Sequence, residues 1–254
     1  MGCKLQWLCN PQPDASSKTS RYYAQDLMQV VKVDLNKNYD DVILEACHIL
    51  RMGGVVIYPT DTIYGLGANA CDSLAVDQIF KIKKRLYSKP LPVIARNMQW
   101  VEALAYLDSR TKKMLESVWP GAVTAVLQNR NHLSSLVTAG ASSVGIRIPD
   151  FVFTDSLLRK FGYPLTATSA NISGEEPTND INKIIDRFSQ ADYRPNLIID
   201  AGILPKSKPS TVIDLTSPDP KVLRIGPSRP DQLIKLLSLG NDKKTHTKRS
   251  QASK

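Results

Sequence analysis

The stretch GGVVIYPTDTIYGLGANA, residues 53–70, constrains this chain more than any other. Val55, Val56, Ile57 and Tyr58 form a short apolar run with the character of a buried strand, and Pro59, which cannot donate to a ladder, ends it. At that strand end Thr60, Asp61 and Thr62 place two hydroxyls and a carboxylate on consecutive residues. Tyr64 follows, with glycines at 65 and 67 that let backbone approach a ligand closely. The same residues also fit a plain strand, a turn and a helix start capped by Thr or Asp.

An amphipathic pattern precedes this run. YDDVILEACHILRMGG puts Val42, Ile43, Ala46, Ile49 and Leu50 on one helical face, takes Cys47 as packing, and ends in a glycine pair suited to a helix C-terminus. Downstream, LAVDQIFKIKKR, RTKKMLESVW, FTDSLLRKFG, INKIIDRFS and PDQLIKLLSL read as helices. LPVIA, AVTAVLQ, SVGIRI, PLTATSAN, NLIID, STVIDL and KVLRIG read as strands or strand ends. Strands follow one another directly more than once, so the expected class is α/β with a mixed sheet flanked by helices, not a strictly alternating doubly wound fold. Residues 1–35 read as a partly flexible extension, 36–240 as one domain, and 241–254 as a basic disordered tail.

Charge and cysteines narrow the function classes. The net charge of the 254 residues is +9, and the tail supplies +4 of it through five basic residues against Asp242. That balance is compatible with a polyanionic partner such as RNA or a nucleotide. No apolar run approaches the roughly 18 residues of a membrane span, and the N-terminus lacks the form of a secretory signal, so the expectation is a cytoplasmic protein with no membrane partner. MGCKLQ carries Gln6 where an acylation pattern has Ser or Thr. Cysteines at 3, 9, 47 and 71 have no C-x-x-C spacing and the chain has only three histidines, so no metal-ligating set is assigned. The Walker loop, G-x-G-x-x-G, G-x-S-x-G and H-E-x-x-H are absent.

Three clusters are left to carry chemistry. In KIKKRLYSKPL, Lys81, Lys83, Lys84, Arg85 and Lys89 crowd near a helix end, either as a solvated basic terminus or as a polyphosphate clamp. In LTATSANISG, Thr166, Thr168, Ser169, Asn171 and Ser173 gather hydroxyls and an amide at a strand end, where ligands settle in sheets of this class. Ser210 and Thr211 repeat that pattern ahead of another strand. Arg147 is a single charge inside an apolar strand and needs a partner: Asp150, Asp214 or a substrate carboxylate.

Taken in order, these segments resemble the YrdC family over about residues 37–235. The resemblance is carried by PTDTIYGLGANA (59–70), Lys83-x-Arg85 with KPL (89–91), WPGAVTAVL (119–127), VGIRIP (144–149), TSANISGEEPT (168–178), STVIDL (210–215) and LRIG (223–226). It implies a twisted α/β domain with a concave basic cavity. It also implies synthesis of L-threonylcarbamoyladenylate and pyrophosphate from L-threonine, bicarbonate or carbon dioxide, and ATP, with Mg²⁺ accompanying the nucleotide. Downstream threonylcarbamoyl-transfer machinery then modifies tRNA, which makes direct tRNA contact an expectation as well. By motif position, Lys83, Arg85, Ser169 and Asn171 form the catalytic set that handles the phosphates. Thr62, Tyr64, Arg147, the Ala167 backbone and Ser210 fall on the threonine side. Lys89, Ser143, Thr178 and Arg224 join Lys83, Arg85 and Ser169 on the ATP side. Many longer members carry a histidine where this chain has Ile94, and they append a second domain, so the resemblance is to the short type. Two other readings compete: a non-enzymatic RNA-binding or ribosome-maturation module, and the carbamoyl-adenylate step of hydrogenase maturation.

Overall fold

In a computed structural model that describes residues 28–228, the apolar run before Pro59 is strand β2 (Val56–Tyr58), buried throughout. The other strands are β1 (Gln29–Lys32), β3 (Gly65–Gly67), β4 (Val93–Ile94), β5 (Val123–Gln128), β6 (Ser143–Arg147), β7 (Leu165–Thr166), β8 (Thr168–Ser169), β9 (Leu197–Asp200), β10 (Thr211–Asp214) and β11 (Lys221–Arg224). The helices are α1 (Asp40–Arg51), α2 (Ser73–Lys83), α3 (Met98–Leu104), α4 (Ser109–Glu116), α5 (Ser135–Thr138), α6 (Val152–Phe161) and α7 (Ile181–Ser189).

The mixed α/β class holds, but the strands divide between two sheets. One has five strands in the order β1-β9-β2-β3-β8, and the other six in the order β11-β10-β5-β6-β4-β7. Both mix directions: β2 pairs parallel to β9 and antiparallel to β3, while β4 pairs parallel to β6 and antiparallel to β7. Residues 29–32, assigned from sequence to the extension, pair with β9 as an edge strand. Residues 1–27, the expected helix at 230–239 and the basic tail lie outside the described residues.

Helix ends follow the local chemistry. α1 carries Asp40 and Asp41 in its first turn and His48 and Arg51 in its last, signs that suit the helix dipole, and it buries Ile43, Ala46, Cys47 and Leu50. Val42 and Ile49, expected on the same face, are only partly buried. α2 starts at Asp72, whose carboxylate accepts from the Leu74 and Ala75 amides. It stops because Lys84 adopts a left-handed conformation (φ 49°), which leaves Lys83 on the buried face and turns Arg85 out of the helix.

The glycines at 65 and 67 are needed for packing within the sheet. They lie opposite β2, and the close approach they permit is that of the buried Tyr58 ring. A Cβ on Gly67 would stand 2.6 Å from a Tyr58 ring carbon and 3.0 Å from the Thr166 carbonyl oxygen. Gly67→Ala is therefore expected to lower stability by about 1–3 kcal/mol, the usual cost of overpacking a tight core, read as a lower urea midpoint at unchanged slope.

Candidate active site

Where the two sheets meet, their facing ends enclose a cavity of about 220 Å³. The five-stranded sheet contributes Tyr58 from β2, Thr60, Thr62 and Ile63 from the loop after it, and Tyr64 and Gly65. The six-stranded sheet contributes Pro92, Ile94, Thr124, Arg147, Pro149, Pro209, Ser210 and Arg224. Arg85 enters from the turn after α2, and Ala167, Thr168 and Ser169 form the crossing from one sheet to the other.

Of the residues expected from sequence, Thr62, Tyr64, Arg85, Arg147, Ala167, Ser169, Ser210 and Arg224 line this one cavity, although they are spread over more than half the chain. Lys89 is exposed, and its carbonyl accepts from Arg85 Nε. Ser143 lies at the far end of β6, opposite Gln128. The Thr178 hydroxyl accepts from the Asp180 amide. None of these three is in the cavity wall. Sequence reading missed Thr124, although a hydroxyl inside the apolar run AVTAVLQ is the same kind of signal that marked Arg147.

Most of the basic cluster around α2 has partners within the protein. Lys81 pairs with Asp77 at 2.8 Å and Lys84 with Asp192 at 3.4 Å. Arg85 donates to the Lys89 and Pro90 carbonyls. Lys83 is not in the cavity wall: its Nζ donates to the Ser169 carbonyl at 2.6 Å, the Asn171 carbonyl at 2.7 Å and Asn171 Oδ1 at 3.1 Å. The Ser169 hydroxyl donates to the same Asn171 oxygen. Burial, reinforced by the neighbouring Arg85 charge, pushes Lys83 down to about 7. Lys83 and Asn171 thus brace the turn that presents Ser169.

The amino-acid side is equally ordered. The Thr60 hydroxyl accepts from the Thr62 amide and donates to the Ile63 carbonyl at 2.6 Å, which makes the loop after Pro59 a hydroxyl-closed turn. The Tyr64 hydroxyl donates to the Gly202 carbonyl and accepts from the Ala201 amide, and burial raises its pKa. Ser210 Oγ lies 2.7 Å from Thr124 Oγ1. Arg224 donates to the Ser210 carbonyl at 3.0 Å. A Cβ on Gly226 would stand 2.2 Å from the Pro209 carbonyl oxygen, so the end of β11 presses on the Ser210 segment.

Arg147 has neither of the expected structural partners. Its Nη2 meets Asp61 Oδ2 at 2.6 Å, across 86 residues of sequence, rather than Asp150 or Asp214. Asp150 contributes only its backbone amide, to the same Asp61 oxygen. Burial lowers the Arg147 pKa and the Asp61 charge opposes that shift. Cys71 is not in the cavity wall, and burial pushes its thiol up to about 12. Among the described residues, no group of three or more His, Cys, Asp or Glu side chains is arranged to hold a metal ion, and no helix is long and apolar enough to cross a membrane.

Comparison with known proteins places this architecture. The family model Sua5_yciO_yrdC, described as telomere recombination, matches residues 48–226. The threonylcarbamoyl-AMP synthase of Bacillus subtilis is 35% identical over 218 residues, spanning 85% of this chain and 60% of that protein. The structure of P. abyssi Sua5 complexed with L-threonine matches with a TM-score of 0.74 and 31% identity, over 83% of this chain and 61% of that one. E. coli YciO matches with a TM-score of 0.72 and 27% identity, over 81% of this chain and 98% of its own. Fold, motif order and sequence similarity agree that the chain belongs to the Sua5/YciO/YrdC family.

Proposed function

We propose that this chain is a threonylcarbamoyl-AMP synthase, which joins L-threonine, bicarbonate or carbon dioxide, and ATP into L-threonylcarbamoyladenylate and pyrophosphate. One observation carries the reading: guanidiniums of Arg85, Arg147 and Arg224 and hydroxyls of Thr62, Thr124, Ser169 and Ser210 converge on one cavity, in a chain similar to a protein solved with L-threonine.

The chemistry brings anions together. The threonine amine attacks the carbon of carbon dioxide, a C–N bond forms, one proton leaves, and a carbamate results. A carbamate oxygen then attacks the α-phosphorus of ATP, the bridging α–β P–O bond breaks, and pyrophosphate departs. Such a sequence needs positioning and charge neutralisation rather than a covalent nucleophile. Arg147 and Thr62 take the amino-acid carboxylate, and the Ser210–Thr124 pair and the Ala167 backbone complete that side. Arg85, with Arg224 at the rim, faces the phosphates, and Ser169 is held against them by Lys83 and Asn171. The expected roles of Lys89, Ser143 and Thr178 toward ATP have no support from the cavity wall, and the reading does not rest on them. Mg²⁺ would accompany the nucleotide substrate and neutralise charge on its phosphates. The product is a mixed carbamic–phosphoric anhydride, so a transferase must consume it, and the recipient in this reading is tRNA.

The test is pyrophosphate release by the purified protein with ATP, Mg²⁺ and bicarbonate, with L-threonine, L-serine or no amino acid, beside Arg85→Ala. Release that depends on L-threonine and falls about a hundredfold or more in the variant is the expected result, roughly 2.7 kcal/mol of lost transition-state stabilisation. Threonine-independent release, or none from the wild type, overturns the reading.

A further inference from the structure

We propose that Asp61 is a positioning residue of the amino-acid site, holding the Arg147 guanidinium so that one N–H on each terminal nitrogen is left for a ligand carboxylate. The inference rests on the synthase reading and deepens it, because Asp61 lies behind the cavity wall and acts through Arg147.

Arg147 is 7% exposed, and among the described residues three of its five N–H donors are engaged. Nε donates to the Gly121 carbonyl at 2.8 Å, Nη1 to Thr62 Oγ1 at 3.1 Å and Nη2 to Asp61 Oδ2 at 2.6 Å. Among the described residues, one donor is left on Nη1 and one on Nη2, the number a carboxylate takes in a bidentate contact. Of the three anchors, Gly121 and Thr62 are neutral, and Asp61 is both the charged one and the shortest contact. Asp61 is fixed in turn by the Asp150 amide at 3.2 Å.

The other carboxylate oxygen sharpens the point. Asp61 Oδ1 is buried and has no hydrogen-bond partner among the described residues. An unmatched buried acceptor is costly, and the bond that the other oxygen makes to Arg147 offsets that cost. Asp61 also places a negative charge beside the seat of an incoming carboxylate, which by itself weakens ligand binding. An arrangement selected for affinity alone would omit it, whereas one that fixes the guanidinium plane needs an anchor stronger than a carbonyl or a hydroxyl.

The test compares wild type, Asp61→Ala and Asp61→Asn by calorimetric binding of L-threonine, calorimetric binding of ATP, and thermal melting. Asparagine keeps an oxygen that accepts from Nη2, whereas alanine removes it. The expected result is an L-threonine Kd raised about 30-fold in Asp61→Ala and about 5-fold in Asp61→Asn, with the ATP Kd within about 2-fold of wild type in both. If Asp61→Ala does not fold, Asp61→Asn decides alone: a raised threonine Kd at unchanged ATP Kd and melting temperature supports the role. An unchanged or lowered threonine Kd in either folded variant overturns it, as does an equal rise for both ligands. Binding of L-threonine by a wild type that releases no pyrophosphate would sink the synthase reading alone, and no threonine binding by wild type would sink both.

Discussion

Replacing Lys83 by methionine is expected to reduce threonine-dependent pyrophosphate release by at least about a hundredfold while changing the melting temperature little. The ammonium gives its three N–H groups to the Ser169 carbonyl, the Asn171 carbonyl and Asn171 Oδ1, so it fastens the crossing segment at the point where Ser169 enters the cavity. Methionine fills a similar volume and offers no donor. Each acceptor left unmatched away from water costs about 1–3 kcal/mol, which the turn relieves by rotating toward solvent and carrying Ser169 out of place. Global stability is buffered, because the variant also escapes the desolvation of a buried ammonium. A release rate within about threefold of wild type would mean that Ser169 is placed without Lys83.

The same residue sets a pH signature. With Lys83 pushed from 10.5 down to about 7 in the folded protein, the unfolded chain binds more protons at this position between those values. Stability of the wild type, measured against Lys83→Met, therefore rises with pH from about 7 toward 10.5 and is flat below that window. Urea midpoints of the two proteins from about pH 6 to about pH 10 read this directly, and a constant difference would contradict it.

Arg147→Ala is expected to raise the KM for L-threonine about a hundredfold and to lower stability by roughly 3–5 kcal/mol. The stability loss comes from Asp61, whose side chain is 14% exposed and would stay behind as a nearly buried carboxylate supported only by the Asp150 amide. Removing both charges in Arg147→Ala/Asp61→Ala should recover much of that loss without restoring threonine affinity. Arg147→Lys separates the effects in another way. A point charge offers Asp61 a partner but cannot serve Gly121, Thr62 and Asp61 from one plane, so stability returns more than affinity does. Equal KM values for threonine in wild type and Arg147→Ala would remove Arg147 from the amino-acid site.

What was legible in the sequence was what is local. The run ending at Pro59, the amphipathic helix before it and the helix stop near Lys83 all follow from patterns a few residues long, and each stands where it was expected. Strand β3 was not legible because GLG has neither alternation nor β-branched residues; its place is fixed by the Tyr58 ring on the neighbouring strand. The division into two sheets was also hidden, since β7 and β8 read as one polar strand end. At the site, residue types were recognisable but directions were not. That Lys83 faces carbonyls and that Arg147 meets Asp61 depend on contacts 86 to 88 residues apart in sequence, which no local pattern encodes.

Ala167 is the single residue between β7 in one sheet and β8 in the other, and its amide donates to the Pro92 carbonyl at 2.8 Å. A connection of one residue, pinned by that bond, keeps the two sheets together at this corner. Entry then falls to the cavity rim at residues 205–209, which are mostly exposed and outside any helix or strand, whereas Asp61 and Thr62 are tied to Arg147. In hydrogen exchange this would appear as a protected floor under an exchanging rim, with the Ala167 amide released only when the whole domain opens.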